Sequence, residues 1–290
     1  MPQINTAADI SSPYIQTIYD DAMFVVRETV TVLPWVTTFN DRSGLASRSS
    51  SEYNSATMNV VGEADDLTSQ AFTPSVIATL TPFERAAQFL ITDSRVESDP
   101  WDSIQTDASR ELGASMANTM DTDLVTNFTS LTGGTVGAAG SAMTWGYLAA
   151  AVAILRGTNV PGPYYAVLHP YQALDLANAA ANMAGAVAFG GDATQDAAAR
   201  GGILTGLGAP LGLSGITISA NIDIDGSDDA VGAVFNPMAM AMDMRRAPRL
   251  EPQRDASRRS TELNLSAVYA HGVWRPKFGV QIKSDASLPA

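Results

Sequence analysis

The chain has 290 residues, of which 46% are hydrophobic and only 16% are charged, and its formal net charge is −13. The length is sufficient for one large domain or two smaller ones with a substantial core. The acidic balance argues against nucleic-acid binding as the main activity, since neutralising phosphates requires Lys and Arg. The absence of cysteine excludes disulfides and thiolate metal sites. The charged fraction is below the globular average of about 25% and favours a subunit that covers its surface with copies of itself.

Neither a signal peptide nor a membrane span is predicted. Residues 1–21 contain no basic stretch followed by an apolar run, and no segment has about 18 consecutive apolar residues. We therefore expect a protein that is made and used in solution in a cytoplasm, without membrane contact.

The first third of the chain predicts a long extended hairpin. Residues 37–55 are polar enough to predict a mobile loop. Residues 57–62 alternate as a strand does, and residues 75–81 and 87–92, on either side of Pro82, have the apolar and β-branched content of strands. A hairpin of this length has little core of its own, so it is expected to lie on another surface.

A long amphipathic helix is predicted over residues 100–131. Apolar side chains recur every three or four residues from Trp101 to Phe128, which gives one apolar stripe. At 1.5 Å per residue, about 30 residues span roughly 45 Å. Such a helix implies an elongated molecule.

The second half of the chain predicts a compact α/β region and then returning strands. A Gly- and Ala-rich stretch at 133–142 marks the boundary, and 184–215 is a second Gly/Ala-rich segment predicted as loop. Methionines at alternate positions from 238 to 244 predict a half-buried strand. The remaining predicted elements are helices over 145–156 and 170–182 and strands over 163–169, 216–222, 231–235, 261–271 and 277–282. Together these patterns predict an α+β fold.

No motif of catalysis, cofactor binding or metal binding is recognised. His169 and His271 end predicted strands and lack a metal-ligand spacing, so ordinary structural roles are favoured. Neither a G-x-S-x-G elbow nor a phosphate-binding loop is present. Four carboxylates follow one strand and fit either a cation loop or a solvated turn: Asp223, Asp225, Asp228 and Asp229. The turn is favoured because the EF-hand's twelfth-position Glu is missing.

An arginine cluster is the most informative charge feature. Its members are Arg245, Arg246, Arg249, Arg254, Arg258 and Arg259. The cluster fits a solvated turn between two strands, or a contact with acids of another subunit, or, less well, a DNA contact. The acids proposed for the subunit contact lie at the tip of the predicted hairpin: Glu63, Asp65 and Asp66. Contacts of this kind set register and specificity more than affinity.

The order of these parts resembles the tailed-bacteriophage major capsid protein family, which has the Hong Kong 97-type fold. The resemblance covers nearly the whole chain, and order and spacing contribute more to it than any single motif. The stretches that resemble the family are Gly62–Asp66 with Phe72–Ser75, then Leu80–Glu84, Ile91–Ser94 and Ala270–Phe278.

The resemblance implies both the domain organisation and the function. It implies an N-terminal arm at 1–36 and an E-loop at 37–92. The implied peripheral domain is formed by 93–132, which contains the spine helix, together with 236–290. The implied compact α/β axial domain is formed by 143–235. It further implies a homo-oligomer of pentamers and hexamers, in the virion, that forms an icosahedral shell around double-stranded DNA without sequence-specific binding. Portal and cement proteins are further partners of the family. No enzymatic activity and no cofactor are implied.

Two departures from the family pattern carry expectations. Some members cross-link through a lysine of the E-loop, but the only lysines here are Lys277 and Lys283, so that chemistry is not available. Some members also carry a long N-terminal scaffolding segment. Only about 20–35 residues precede the E-loop here, so either a separate scaffold protein exists or the segment has already been cleaved. The separate scaffold protein is favoured because the sequence begins with Met1.

Two alternative functions are kept. An encapsulin-type nanocompartment shell has the same fold but encloses an enzyme rather than a genome. A soluble hydrolase built on the α/β region would be a small, stable monomer or dimer.

Overall fold

The computed structural model describes residues 31–63, 66–98, 104–186 and 212–288 of the chain. These residues form both helices and strands, and the strands are arranged in three β-sheets. The predicted α+β class is therefore confirmed. The strands are β1 (Thr37–Phe39), β2 (Arg48–Tyr53), β3 (Pro74–Leu80), β4 (Phe83–Thr92), β5 (Thr135–Gly137), β6 (Tyr165–Leu168), β7 (Gly215–Ile218), β8 (Asp229–Phe235), β9 (Met240–Asp255), β10 (Ser260–Val273) and β11 (Gly279–Asp285). The helices are α1 (Asp93–Glu97), α2 (Ile104–Val125), α3 (Trp145–Gly157) and α4 (Pro170–Ala186).

The longest strands, β9 and β10, form an antiparallel pair in a four-stranded sheet with the order β1-β9-β10-β4. Helix α2 lies against one face of this sheet, because every fourth helical residue and every second strand residue is apolar. The hydrophobic core between them includes Leu112, Met116, Met120, Leu124, Leu263, Leu265, Ala267 and Tyr269. This layer is the larger of the two main cores of the chain.

A second core surrounds a five-stranded sheet with the order β5-β11-β8-β6-β7. Strand β6 lies between β8 and β7 and is apolar at every position, as a strand covered on both faces should be. Helices α3 and α4 cover the sheet, and the fully buried side chains between them include Leu148, Leu155, Leu168, Leu176, Val234 and Ile282. The predicted compact α/β region therefore forms, with its helices and strands close to the expected positions.

A buried carboxylate joins three segments of the chain. Asp121 of α2 is fully buried and accepts hydrogen bonds from the backbone N–H groups of Thr31 and Val32 at 3.0 and 2.8 Å. It also accepts from the Thr31 hydroxyl at 2.8 Å and from Asn221 Nδ2 at 3.1 Å. Four donors satisfy this carboxylate without water, so Asp121 fixes the chain before β1 and the turn after β7 against the same helix.

Helix α2 confirms the central part of the predicted long helix. A 3₁₀ turn at Thr126–Ser130 continues it, while residues 99–103, where the start was predicted, lie outside the described residues. Most of the predicted loop at 184–215 also lies outside them. In the described part of the chain, no helix combines the length and the apolar character that crossing a membrane requires.

The first side of the predicted hairpin differs from the expectation, whereas β3 and β4 confirm the strands predicted at 75–81 and 87–92. Residues 37–55, predicted as a loop, contain β1 and β2, whereas 57–62, predicted as a strand, have no regular structure. Strand β2 forms in a serine-rich segment because β3 supplies its ladder partners over six residue pairs. The alternation at 57–62 finds no neighbouring strand and therefore no ladder.

Candidate self-assembly surfaces

Strands β2 and β3 and the segment that joins them form what we call the projecting hairpin, residues 48–80. Every described residue from 51 to 76 is exposed, so this part of the hairpin has no core. Large apolar side chains are nevertheless frequent in it. They are Tyr53, Met58, Val60, Val61, Leu67, Phe72 and Val76, and Met58 and Val60 are 94% and 103% exposed. A concentration of exposed apolar side chains marks a surface that binds another molecule.

Side chains hold the two sides of the hairpin together beyond the ladder. Asn54 Nδ2 donates to the carbonyl oxygen of Ala71 at 2.6 Å, and its Oδ1 accepts from the N–H of Thr73 at 2.9 Å. Gln70 makes the same kind of reciprocal pair with the backbone of Thr57. These bonds replace strand pairing and give the distal hairpin a defined but thin structure.

The acidic tip is open to solvent. Glu63 and Asp66 are both exposed, while Asp65 lies outside the described residues. Asp66 lies beside the exposed apolar residues Val60 and Leu67 at a shallow depression of the tip. The tip thus presents negative charge and apolar surface together.

The arginine cluster lies along β9 and the turn that follows it. Five of its six members pair with acids of their own chain: Arg245 with Asp243, Arg246 with Glu84, Arg249 with Glu251, Arg254 with Asp93, and Arg258 with Asp255. All of these pairs except the first are solvent-exposed. Exposed pairs contribute at most about 1 kcal/mol each, so an acid of a neighbouring subunit can compete for these arginines. The contact with the acidic tip stays a prediction.

A buried ion cluster, which the sequence analysis missed, anchors the base of the hairpin. Asp243 of β9 is fully buried, and its Oδ2 accepts from Arg48 Nε at 2.9 Å and from Arg245 Nη2 at 2.7 Å. Arg48 also pairs with Asp41, and Arg245 donates to the carbonyl oxygen of Ala46 at 3.0 Å. An aspartate in an otherwise apolar run signals a buried cationic partner, but the sequence gives no indication of which arginine supplies it.

An apolar contact anchors the other strand of the hairpin. Leu80, at the end of β3, is 1% exposed and packs on Ala241 and Ala270 of the four-stranded sheet. A Cβ atom at Gly272 would lie 2.9 Å from the Leu80 side chain, so the small residues leave the space that Leu80 fills. The hairpin base therefore covers the sheet face opposite α2. The prediction of a half-buried strand from Met238 onward is wrong for the start of β9, which is buried on both faces.

His271 belongs to a polar network between α2 and the sheet. Its Nδ1 lies 3.0 Å from Asn127 Nδ2, and its Nε2 lies 3.9 Å from Asp123. Asp123 also accepts from the Tyr269 hydroxyl at 2.6 Å and from Arg85 at 2.9 Å. Burial lowers the pKa of His271 and raises that of Tyr269. These contacts join helix and sheet and give His271 a structural role.

His169 has a similar local role at the end of β6. Its Nδ1 accepts a hydrogen bond from the backbone N–H of Tyr171 at 3.2 Å at the start of α4. Burial lowers its pKa. The side chain lies 6% exposed beside Gln172, whose amide bonds the His169 N–H and the carbonyl oxygen of Ala230.

The acidic turn after β7 holds a lysine. Lys283 Nζ lies 3.2 Å from Asp225 and 3.5 Å from Asp229. Backbone N–H groups of Asp229 and Ser227 lower the pKa of Asp225, with a smaller contribution from Lys283. Asp223 and Asp228 are exposed. A protein ammonium thus supplies the positive charge here, in agreement with the turn and not with a cation loop.

Solved structures with the same fold include the capsids of a phage and of a GTA particle. The capsid structure of the cyanophage P-SCSP1u has a TM-score of 0.67 and 16% identity, and the match covers 91% of each chain. The Mycobacterium phage Che8 structure has a TM-score of 0.65 and 17% identity over 97% of this chain and 96% of that one. The capsid of a native GTA particle has a TM-score of 0.66 and 16% identity over 98% and 100%. These likenesses define the class: the fold is that of capsid subunits.

The sequence profile described as phage capsid protein matches residues 77–282. The chain therefore belongs to the phage capsid protein family, as the sequence resemblance predicted. It is a major capsid protein, the subunit of a shell, and its place is the virion capsid. No curated protein matches the chain in sequence.

Proposed function

We propose that this capsid protein forms an icosahedral shell of pentamers and hexamers that encloses the double-stranded DNA of a tailed phage. The observation that carries the proposal is the projecting hairpin, whose described residues from 51 to 76 are all exposed and include large apolar side chains. A monomer leaves such a surface uncovered, whereas a lattice of copies covers it.

Within the proposed shell, the projecting hairpin is the E-loop that lies on a neighbouring subunit. Helix α2 is the spine helix, and with the β1-β9-β10-β4 sheet it forms the peripheral domain. The five-stranded sheet with α3 and α4 is the axial domain around the five- and six-fold axes. Support for this assignment comes from the two separate hydrophobic cores and from the length of α2, β9 and β10.

The net negative charge of the chain suits a shell that encloses DNA without binding it. A net charge of −13 repels the phosphate backbone, so packaged DNA is confined by the wall and not bound by it. A separate scaffold protein, a portal and a cement protein are the further partners we propose.

Electron microscopy of the expressed protein tests the shell directly. Closed particles of uniform diameter are expected, and phage particles should contain DNA that resists added nuclease. A protein that stays a monomer or dimer at all concentrations would contradict the proposal. Particles filled with an enzyme instead of DNA would favour the nanocompartment.

The hairpin contact is tested by removing its apolar surface. Met58→Ser together with Val60→Ser should reduce particle yield at least tenfold and leave the unfolding midpoint of the subunit unchanged, because both side chains are exposed. A matched control is Ile218→Ser with Ile224→Ser, which removes two partly exposed apolar side chains of the axial region. Normal particle yield from the hairpin variant would show that the hairpin does not hold the shell together.

The charge contact is tested separately. Reversing Glu63, Asp65 and Asp66 to Lys should impair closed-shell assembly through repulsion from the arginine cluster, while the subunit stays folded. Reversal to Lys of three exposed acids outside the hairpin, Glu97, Asp223 and Asp228, is the control with the same change in net charge. Adding the compensating changes Arg249→Glu and Arg254→Glu to the hairpin-tip variant should restore assembly. If assembly is not restored, the acids of the hairpin tip contact a surface other than the arginine cluster.

A further inference from the structure

The ladder of the projecting hairpin contains one β-bulge. Arg48, Ser49 and Ser50 pair in register with Leu80, Thr79 and Ala78, but Ser51 pairs with Val76. Ile77 is therefore an extra residue with no partner opposite. A bulge bends a strand pair and increases its local twist, and it is a place where pairing is weaker.

The bulge coincides with a change in environment. On the body side, Arg48 bonds to the buried Asp243, Ser50 is 5% exposed and Leu80 is 1% exposed. On the distal side, every described residue as far as 76 is exposed. The change from anchored to uncovered chain occurs within one or two residues of Ile77.

The contacts of Glu52 and Ile77 with the body of the subunit are weak. Glu52 and Ile77 line an open cleft of about 180 Å³ beside Arg275, Lys277 and Phe278. The Glu52–Lys277 pair is 3.6 Å long, and its side chains are 50% and 75% exposed. Exposed pairs of this kind contribute little and are screened by salt. The base, in contrast, is held by the buried ion cluster around Asp243 and by the packing of Leu80 on the four-stranded sheet.

We infer that the hairpin is a two-part lever, in which Asp243 locks the base to the sheet and the bulge at Ile77 is the pivot of the distal part. The inference rests on the proposed shell. Identical subunits around five- and six-fold axes meet their neighbours at different angles, and the pivot absorbs this difference without disturbing the core. Asp243 is thus a positioning residue for the hairpin.

Hydrogen exchange of the unassembled full-length subunit tests the lock. In the wild type, amides of residues 48–50 should be protected at least 100-fold more than those of 51–53. Asp243→Asn should accelerate exchange at 48–50 and 78–80 by tenfold or more and leave 165–168 unchanged. Arg48→Met serves if Asp243→Asn does not fold. Equal protection on both sides of the bulge, or unchanged exchange in the folded variant, overturns the lock.

Removal of the bulge tests the pivot. Deletion of Ile77 should leave base exchange and subunit unfolding unchanged, while closed particles fall at least tenfold or give way to sheets of one curvature. Insertion of an alanine between Ser50 and Ser51 gives Ile77 a partner and should act in the same way. Ile77→Ala keeps the bulge and only widens the cleft, so it should assemble at nearly wild-type yield. If both bulge-free variants form closed shells at wild-type yield and size, the proposal that the bulge is a pivot is wrong.

These measurements separate the lever from the proposed function. If the wild-type protein forms no particles, the proposed shell fails, yet the exchange contrast across the bulge still supports or overturns the lock. If wild-type shells form and the bulge-free variants form them equally well, the shell stands and the pivot fails.

Discussion

Helix α2 and the projecting hairpin are long elements with opposite relations to solvent. The helix contributes six buried residues to its own subunit, among them Leu124 with no exposed surface. The described hairpin residues from 51 to 76 contribute none, although Met58, Val60 and Phe72 are as apolar as the helix stripe. The helix therefore stabilises the fold, whereas the hairpin leaves its apolar surface exposed, as the proposed contact with a neighbouring subunit requires.

The largest expected effect on the free energy of unfolding is found by truncating one side chain in the helix and one in the hairpin. Leu124→Ala should lower the free energy of unfolding by about 3–5 kcal/mol, because it leaves a cavity in the main core. Val60→Ala should change it by less than about 0.5 kcal/mol, since Val60 is fully exposed, but should reduce assembly. Urea unfolding of unassembled subunits measures both. Similar losses from the two variants would mean that the hairpin packs on its own subunit.

The second prediction concerns the buried carboxylate of α2. Asp121→Ala should cost about 2–4 kcal/mol, because the N–H groups of Thr31 and Val32 lose their acceptor in a buried site. Exposed Thr126→Ala, which removes a hydroxyl bonded to its own helix end, is the control. Urea unfolding at pH 7 gives both values. Equal small effects would show that water replaces the missing acceptor.

A smaller effect follows from the two histidines. Burial lowers the pKa of both His169 and His271, so the folded chain binds fewer protons than the unfolded chain near their ordinary values. Stability should then be fully present above the unfolded pKa of about 6.5 and fall as the pH drops below it. The unfolding midpoint between pH 7.5 and pH 5 measures the slope. His169→Gln and His271→Gln should each flatten it, and an unchanged slope in the double variant would attribute it to carboxylates.

The smallest effect is expected at the edge of the arginine cluster. Arg254 donates to Asp93 through two hydrogen bonds of 2.6 Å and lowers the pKa of that carboxyl. The pair therefore stabilises the fold above the unfolded pKa of Asp93, and this contribution is lost as the pH falls through the lower folded value. Asp93→Asn should weaken the subunit slightly at pH 7 and low salt. A difference from the wild type that persists in 1 M salt or at pH 2 would exclude the ion pair as its cause.

The sequence predicted best where the signal is local. The stripe from Ile104 to Leu124 and the apolar run at 165–168 specify their secondary structure by periodicity and composition, and both form where expected. The serine-rich β2 is different, since nothing in its composition favours a strand. It forms because β3 pairs with it and because Asp243, far away in the chain, holds Arg48.

The sequence by itself determined the α+β class, the long helix, the compact α/β region, and the family through the order of its parts. The tertiary structure decided which arginines are exposed at the surface and which, like Arg245, form an ion pair with a buried acid. It also decided where the hairpin ceases to be anchored. The physical reason is that periodicity records how one residue relates to its near neighbours, whereas ion pairing, burial on both faces of β9 and the bulge at Ile77 depend on segments brought together only by folding.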